Sequence, residues 1–408
     1  MRWIITIGLL LIFQWYSFQG VKTVTTNKWI WMLYIILVVL IIGNLLFHTL
    51  YLERTPTTEP RLMYAIGFFI SLFVFQAVIT LVLVTEDIFR IPQAVYSYLT
   101  KFPGQVQFVP SRRSFISKIA LGLAAIPLTS LLYGMYKGKY NFKVLAYELE
   151  YDDLPDAFDG FKITQISDIH SGSFDNVKMV NYGIDLINKQ QSDVILFTGD
   201  LVNNKTSEVL PWIPHFGKIN APYGVYSVLG NHDYGDYTRW ETPEEKLQNI
   251  KDLYQAQKDM GWDLLLNESR IIEKEGQRLA IVGVENWGEG FKKKGDLNLA
   301  TEKITKKDFK ILLTHDPSHW EAEALNHDKL INLTLSGHTH GMQFGIEIPG
   351  IIKWSPVKWR YKQWAGIYNR GKKFLNVNRG FGYLAYPGRV GIWPEITVIT
   401  LKSSMPTI

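Results

Sequence analysis

Residues 161–203 read FKITQISDIHSGSFDNVKMVNYGIDLINKQQSDVILFTGDLVN. Phe161–Ser167 and Val194–Thr198 are short, β-branched apolar runs of the kind that fill buried strands. Between them Val177, Val180, Ile184 and Ile187 recur at helical spacing, with Asp175 as the expected cap. Short β-rich runs alternating with helical ones are the pattern of an α/β domain. Each strand also ends on reactive residue types: Asp168-Ile169-His170 after the first, Gly199-Asp200 after the second.

The arrangement repeats down the chain. Val225–Leu229, Leu279–Val284, Ile311–Leu313 and Ile331–Leu335 read as further buried strands, and a helix is expected from Pro243 to about Gly261. Beyond residue 340, Trp364–Tyr368 and Phe374–Val377 flank Asn369-Arg370-Gly371 as a hairpin, and Glu395–Leu401 alternates as a last strand. Gly230-Asn231-His232-Asp233, Thr314-His315-Asp316 and Gly337-His338-Thr339-His340-Gly341 again follow strands. In open α/β sheets ligands bind beyond the carboxyl ends of strands, where loops converge on a rigid edge. One Asp-x-His is more often a turn; five such blocks on five strands point to a site.

Cysteine is absent, which excludes disulfide scaffolds, thiolate zinc sites, iron–sulfur clusters and cysteine nucleophiles. Aspartate, histidine and asparagine suit Mn, Fe, Zn or Co. Asp168, His170, Asp200, Asn231, His315, His338 and His340 exceed one tetrahedral set and suit two cations sharing a carboxylate. His48, His215, His319 and His327 read as ordinary structural histidines, and Asp316 as the cap of a following helix.

The 408 residues carry a net charge of +5, but the excess is local. Residues 1–145 hold +9 and the remainder −4, which argues against a nucleic-acid groove. Within the basic part, residues 29–47 and 63–85 run uncharged over a length that spans a bilayer. Residues 3–18 and 115–136 are expected as two further spans, giving an anchor over 1–145 and a catalytic domain over 146–408. Flanking lysines and arginines are even on the two sides, so the positive-inside bias is silent. Ser111-Arg112-Arg113-Ser114-Phe115 resembles a twin-arginine export signal or serves as a membrane anchor. On the export reading the domain lies outside a bacterial inner membrane.

The five blocks, over about residues 160–402, resemble those of the calcineurin-like metallophosphoesterases. Gly337–Gln343 and Asn378-Arg379-Gly380-Phe381-Gly382 are similar to the membrane-associated bacterial branch, except that Met342 stands where a second glycine is common. The resemblance implies a sandwich of two mixed sheets flanked by helices. It implies Asp168, His170 and His340 on one metal, Asn231, His315 and His338 on the other, and Asp200 bridging. A metal-bridging hydroxide would attack phosphorus, while His232, oriented by Asp233, protonates the leaving oxygen. Asn203, Arg379 and Arg389 are candidate substrate contacts, with a plain hairpin salt bridge as the competing reading of the two arginines. Relatives in this branch cleave phospholipid-like substrates, including UDP-2,3-diacylglucosamine in lipid A biosynthesis.

Residues 351–364, IIKWSPVKWRYKQW, interleave tryptophan with lysine and arginine, the composition of a bilayer interface. The alternative is a surface hairpin that packs its own aromatics. The expected partners are the lipid bilayer and a lipid-linked phosphoester; the competing function is a noncatalytic metal-binding scaffold. A transporter is disfavoured, because the spans lack central ionisable residues.

Overall fold

The computed structural model describes residues 2–51, 60–100, 110–348 and 350–404. They form two compact units, divided near Tyr136.

The first unit contains four long helices, α1 (Arg2–Val24), α2 (Lys28–Leu46), α3 (Pro60–Thr100) and α4 (Pro110–Tyr136). Three of the described helices are long and apolar enough to cross a membrane, over Lys28–Leu50, Pro60–Pro92 and Ser111–Tyr136. The helix expected as the first span, α1, carries polar side chains among its apolar ones. Those side chains point into the bundle. Gln14 and Gln76 exchange amide hydrogen bonds of 2.7 and 2.8 Å, Ser17 Oγ lies 2.7 Å from Tyr34 Oη, and Thr23 donates to Ser117 at 2.7 Å. In a bilayer such groups must be satisfied within the protein.

Beyond the expected span 63–85, α3 continues to Thr100, since no breaker precedes Pro92. Arg112 and Arg113 sit in the first turn of α4, where the helix dipole disfavours cations. Arg113 pairs there with Glu86 and, at 2.9 Å, with Asp87. Arg54 and Lys101, counted among the flanking charges, lie outside the described residues.

The second unit is a sandwich. One six-stranded sheet runs in the order β1 (Lys143–Tyr151), β14 (Glu395–Ser403), β2 (Lys162–Ile166), β3 (Val194–Phe197), β4 (Val225–Ser227) and β5 (Asp263–Leu264). The other runs β12 (Gly366–Arg370), β13 (Lys373–Val377), β9 (Leu333–Ser336), β8 (Phe309–Leu313), β7 (Gln277–Gly283) and β6 (Glu268–Lys274). Both are mixed: β2, β3 and β4 are parallel, as are β7, β8, β9 and β13, while β2 pairs antiparallel with β14 and β6 with β7. A separate two-stranded ribbon joins β10 (Ile346–Ile348) to β11 (Ile352–Trp354).

The period of two along each strand explains the layers. Leu279 and Ile281 face Ile163, Leu196 and Leu335 in the core between the sheets. Ala280 and Val282 face the other way and pack with Leu297, Trp320 and Ile331. The helix over Val177–Asn188 buries Val180, Ile184 and Ile187 as its spacing predicts. Its cap is Asn176, which accepts from Met179 N, one residue beyond the expected Asp175. Asp175 instead pairs with Lys139 at 2.5 Å and accepts from Tyr140 Oη at 2.8 Å.

Candidate metal centre

Parallel strands of both sheets end at one rim. There β2 delivers Asp168 and His170, β3 Asp200, β4 Asn231, β8 His315, and β9 His338 and His340. Five of these seven residues have positive φ, from 48° at His170 to 70° at His338. Each such turn costs a non-glycine residue about 1–2 kcal/mol, so the rest of the fold over-determines the loop shapes. Gly337 shows how tight the rim is: a Cβ there would collide with Ser167 Oγ and the Asp168 carboxylate.

The ligand atoms fall into two trios, Asp168–His170–His340 and Asp200–His315–His338, with all atoms of a trio within 4.8 Å of one another. Asp200 Oδ2 connects them, 3.5 Å from His170 Nε2 and 3.2 Å from His315 Nε2. Asn231 stands beside the second trio: the following backbone N–H, of His232, donates to Asp200 Oδ1 at 2.9 Å. Asn231 gives its Nδ2 to Tyr237 Oη at 2.9 Å. Its Oδ1 is left buried without a hydrogen-bond partner, as is His170 Nδ1.

Electrostatics put these groups in the forms that bind metals. Burial opposes the charge of Asp168, but His340 and His315 outweigh it and hold the carboxyl well below its usual range. Asp200 is likewise held low, against burial, by His315, His232 and His170. Burial drives His338 down to about 4 and His170 well below its ordinary value, leaving both neutral. His315 goes the other way: burial opposes its charge, yet Asp200 outweighs that and pushes it up to about 10. A cation between the two would replace that proton. Ionised carboxylates, the neutral imidazoles of His170 and His338 and an orphaned amide oxygen fit a pair of divalent cations.

Hydrogen bonds behind the rim aim the rings. His315 Nδ1 donates to the Thr198 carbonyl at 2.8 Å, turning Nε2 to the centre. His338 points Nδ1 inward, 3.2 Å from His315 Nε2, and its Nε2 lies 2.9 Å from Tyr361 Oη. Tyr361 in turn donates to Asp316 at 3.2 Å. Asp316 does cap the next helix, through Ser318 N at 2.8 Å, but its other oxygen also lies 3.6 Å from His338 Nε2. Sequence reasoning missed Asp316 as a support, and Tyr361 was hidden among tryptophans and lysines.

The expected roles of three residues are corrected. Asp233 does not orient His232. Its buried carboxylate accepts the backbone N–H groups of Asp200, Leu201, Val202 and Gly230, stapling two rim loops together. The His232 ring is held instead by the Asn203 carbonyl, 2.7 Å from Nδ1. Asn203 itself is fully buried and its side chain bonds Ser173. Arg379, expected at a substrate phosphate, is buried between Glu395 and Glu347, the latter at 2.6 Å, with its charge met inside the protein. Arg389 is also buried; it lies 3.1 Å from His340 Nδ1 and donates to the Gly380 and Gly382 carbonyls. Of the other histidines in this unit, His215 lies against Asn181, His319 against Thr314 and His327 against Asn298. A cavity of about 270 Å³ opens at Asn231, between Tyr237 and the Lys292–Lys294 loop.

The family profile described as "Calcineurin-like phosphoesterase" matches residues 161–342, and "Probable Calcineurin-like phosphoesterase, transmembrane domain" matches residues 1–139. An uncharacterised metallophosphoesterase of Bacillus subtilis, YkuE, is 32% identical over 300 residues, covering 72% of this chain and 98% of that protein. The chain belongs to the calcineurin-like metallophosphoesterases. An uncharacterised metallophosphoesterase of Helicobacter pylori is 26% identical over 337 residues, covering 81% of this metallophosphoesterase and 82% of the relative. A zebrafish "transmembrane protein with metallophosphoesterase domain" is 26% identical over 295 residues, covering 69% of this chain and 62% of its own length. The bundle of the first unit is thus the membrane part of an integral membrane metallophosphoesterase.

Proposed function

We propose that the chain hydrolyses a phosphoester or pyrophosphate bond at a dinuclear centre held by Asp168, His170, Asp200, Asn231, His315, His338 and His340. The reading is carried by the position of Asp200 Oδ2 between a ring from each trio, the arrangement a shared carboxylate requires. Two cations, when bound, supply an activated water at neutral pH and offset charge on the phosphoryl oxygens. The protein's own share lies in positioning and proton transfer. His232, fixed by the Asn203 carbonyl, presents its other nitrogen to the leaving oxygen and protonates it. Tyr237 turns the Asn231 carbonyl to the centre by accepting from its amide.

The substrate in this reading is lipid-linked, consistent with spans that carry the enzyme in a bilayer; UDP-2,3-diacylglucosamine is one such pyrophosphate to assay. The membrane is read as a bacterial inner membrane, and proteolysis of intact spheroplasts reads which face the domain occupies. The test of the reaction class is hydrolysis of bis(p-nitrophenyl) phosphate with Mn²⁺ by the purified chain, before and after Asn231→Ala. Turnover that the substitution abolishes supports the reading. Metal binding without turnover in the unsubstituted protein would favour a scaffold.

A further inference from the structure

The ribbon of β10 and β11 is built inside out. Opposed residues of an antiparallel pair share a face, so the register Ile346↔Trp354, Glu347↔Lys353, Ile348↔Ile352 gives one apolar face and one charged face. In a water-exposed hairpin the charged face points outward. Here Glu347 is half-buried against the domain and paired with Arg379, and Lys353, though exposed, bends back to donate to the Ala365 carbonyl. The isoleucines face out. Ile351 at the turn is 81% exposed, Trp359 75% and Met342 59%, beside Phe344, Ile346, Ile348 and Ile352. These seven are nearly half of the fifteen large exposed apolar residues described in the second unit. Lone exposed apolar residues need no explanation, but a contiguous set marks a contact surface.

The charges beside the patch are of one sign: Lys358, Arg360 and Lys362 are exposed, and the local acid Glu347 is spent on Arg379. Exposed isoleucine and tryptophan with a cationic rim complement the headgroup and acyl boundary of an anionic leaflet. The chain supplies its own bilayer through its spanning helices. The segment is also stitched to the metal-ligand loop. Ser355 Oγ donates to the Gly341 carbonyl and Thr339 Oγ1 to the Trp364 carbonyl, both at 2.7 Å, and Tyr361 reaches His338. Trp364 itself is buried with Val357 and Ile392. The interface expected of three tryptophans therefore rests on one, Trp359, and on the isoleucines.

We propose that the face of Ile346, Ile348, Ile351, Ile352 and Trp359 docks into an anionic leaflet and brings the adjoining centre to phosphoesters of bilayer lipids. This deepens the phosphoesterase reading and rests on it for the chemistry. The absence of cysteine permits a clean test. Full-length Ile351→Cys and, as control on an exposed helix, Asp252→Cys are each labelled with an environment-sensitive fluorophore in phosphatidylglycerol-containing proteoliposomes. The expected result is blue-shifted emission at position 351, quenched by lipids spin-labelled on the acyl chain, and neither effect at 252. Emission at 351 matching 252 overturns the proposal. So does a blue shift without lipid quenching, which assigns the face to a second copy or a protein partner. In a second arm, Ile351→Glu with Trp359→Glu should slow hydrolysis of a bilayer phosphodiester about tenfold or more while bis(p-nitrophenyl) phosphate turnover holds. Equal loss on both substrates makes the residues structural and contradicts it. If the unsubstituted protein hydrolyses neither substrate, the phosphoesterase reading fails while the quenching arm still reports on docking.

Discussion

The main-chain carbonyl of Asn203 lies 2.7 Å from Nδ1 of His232. Because a carbonyl only accepts, Nδ1 keeps its proton, and the proton given to the leaving oxygen is the second one of the imidazolium form, on the nitrogen that faces substrate. His232→Ala should therefore lower kcat about 10²–10⁴-fold without changing bound metal. Asn203→Ala keeps the carbonyl and should cost far less. Comparable losses in steady-state kinetics would contradict the assignment.

Asp233 works on the backbone. Removing an acceptor of four buried N–H groups leaves unmet donors, each about 1–3 kcal/mol. Asp233→Ala should lower denaturation midpoints by several kcal/mol equivalent and release metal, whereas His232→Ala should leave the midpoint near that of the unsubstituted protein. A stable, metal-loaded Asp233→Ala protein with impaired turnover would restore the catalytic role.

Tyr361 supports His338 from behind. Groups of this kind typically change metal affinity 10–100-fold, so Tyr361→Phe should weaken one of two Mn²⁺ binding events in calorimetric titration. Two unaltered events would remove Tyr361 from the centre's support.

Glu208 offers a pH test away from the metals. Burial raises its carboxyl above the usual range, although N–H groups of Asn203, Asn204 and Lys205 partly oppose the shift. A raised folded-state value means that the fold favours the protonated form. Its contribution is full below about pH 4.3 and is lost as pH rises through the folded value. Relative to Glu208→Gln, wild-type stability should decline from about pH 4 toward neutrality. A difference that grows with pH in urea melts contradicts this.

The ligand set was legible because aspartate, histidine and asparagine are unusual at the ends of apolar strands, and Asp168, His170, His338 and His340 announce themselves by spacing. What orients them was not. A carbonyl such as that of Asn203 leaves no mark in a sequence, and Asp233 beside His232 suggests a partnership that the turn Asn231–Tyr234 prevents by sending the carboxylate inward. The alternation Ile346-Glu347-Ile348 looks like any amphipathic strand. Which face turns out depends on Arg379 and Ala365, residues brought there only by the fold. In the bundle, Gln14 of α1 reads as a polar interruption in the sequence, yet it ties that helix to Gln76 of α3.

The most direct test is metal stoichiometry by mass spectrometry of the purified full-length chain, with and without Asp200→Ala. The account predicts two divalent ions per chain and loss of both on that single substitution, because one carboxylate oxygen serves each trio. A single ion per chain, or two that survive Asp200→Ala, would contradict it.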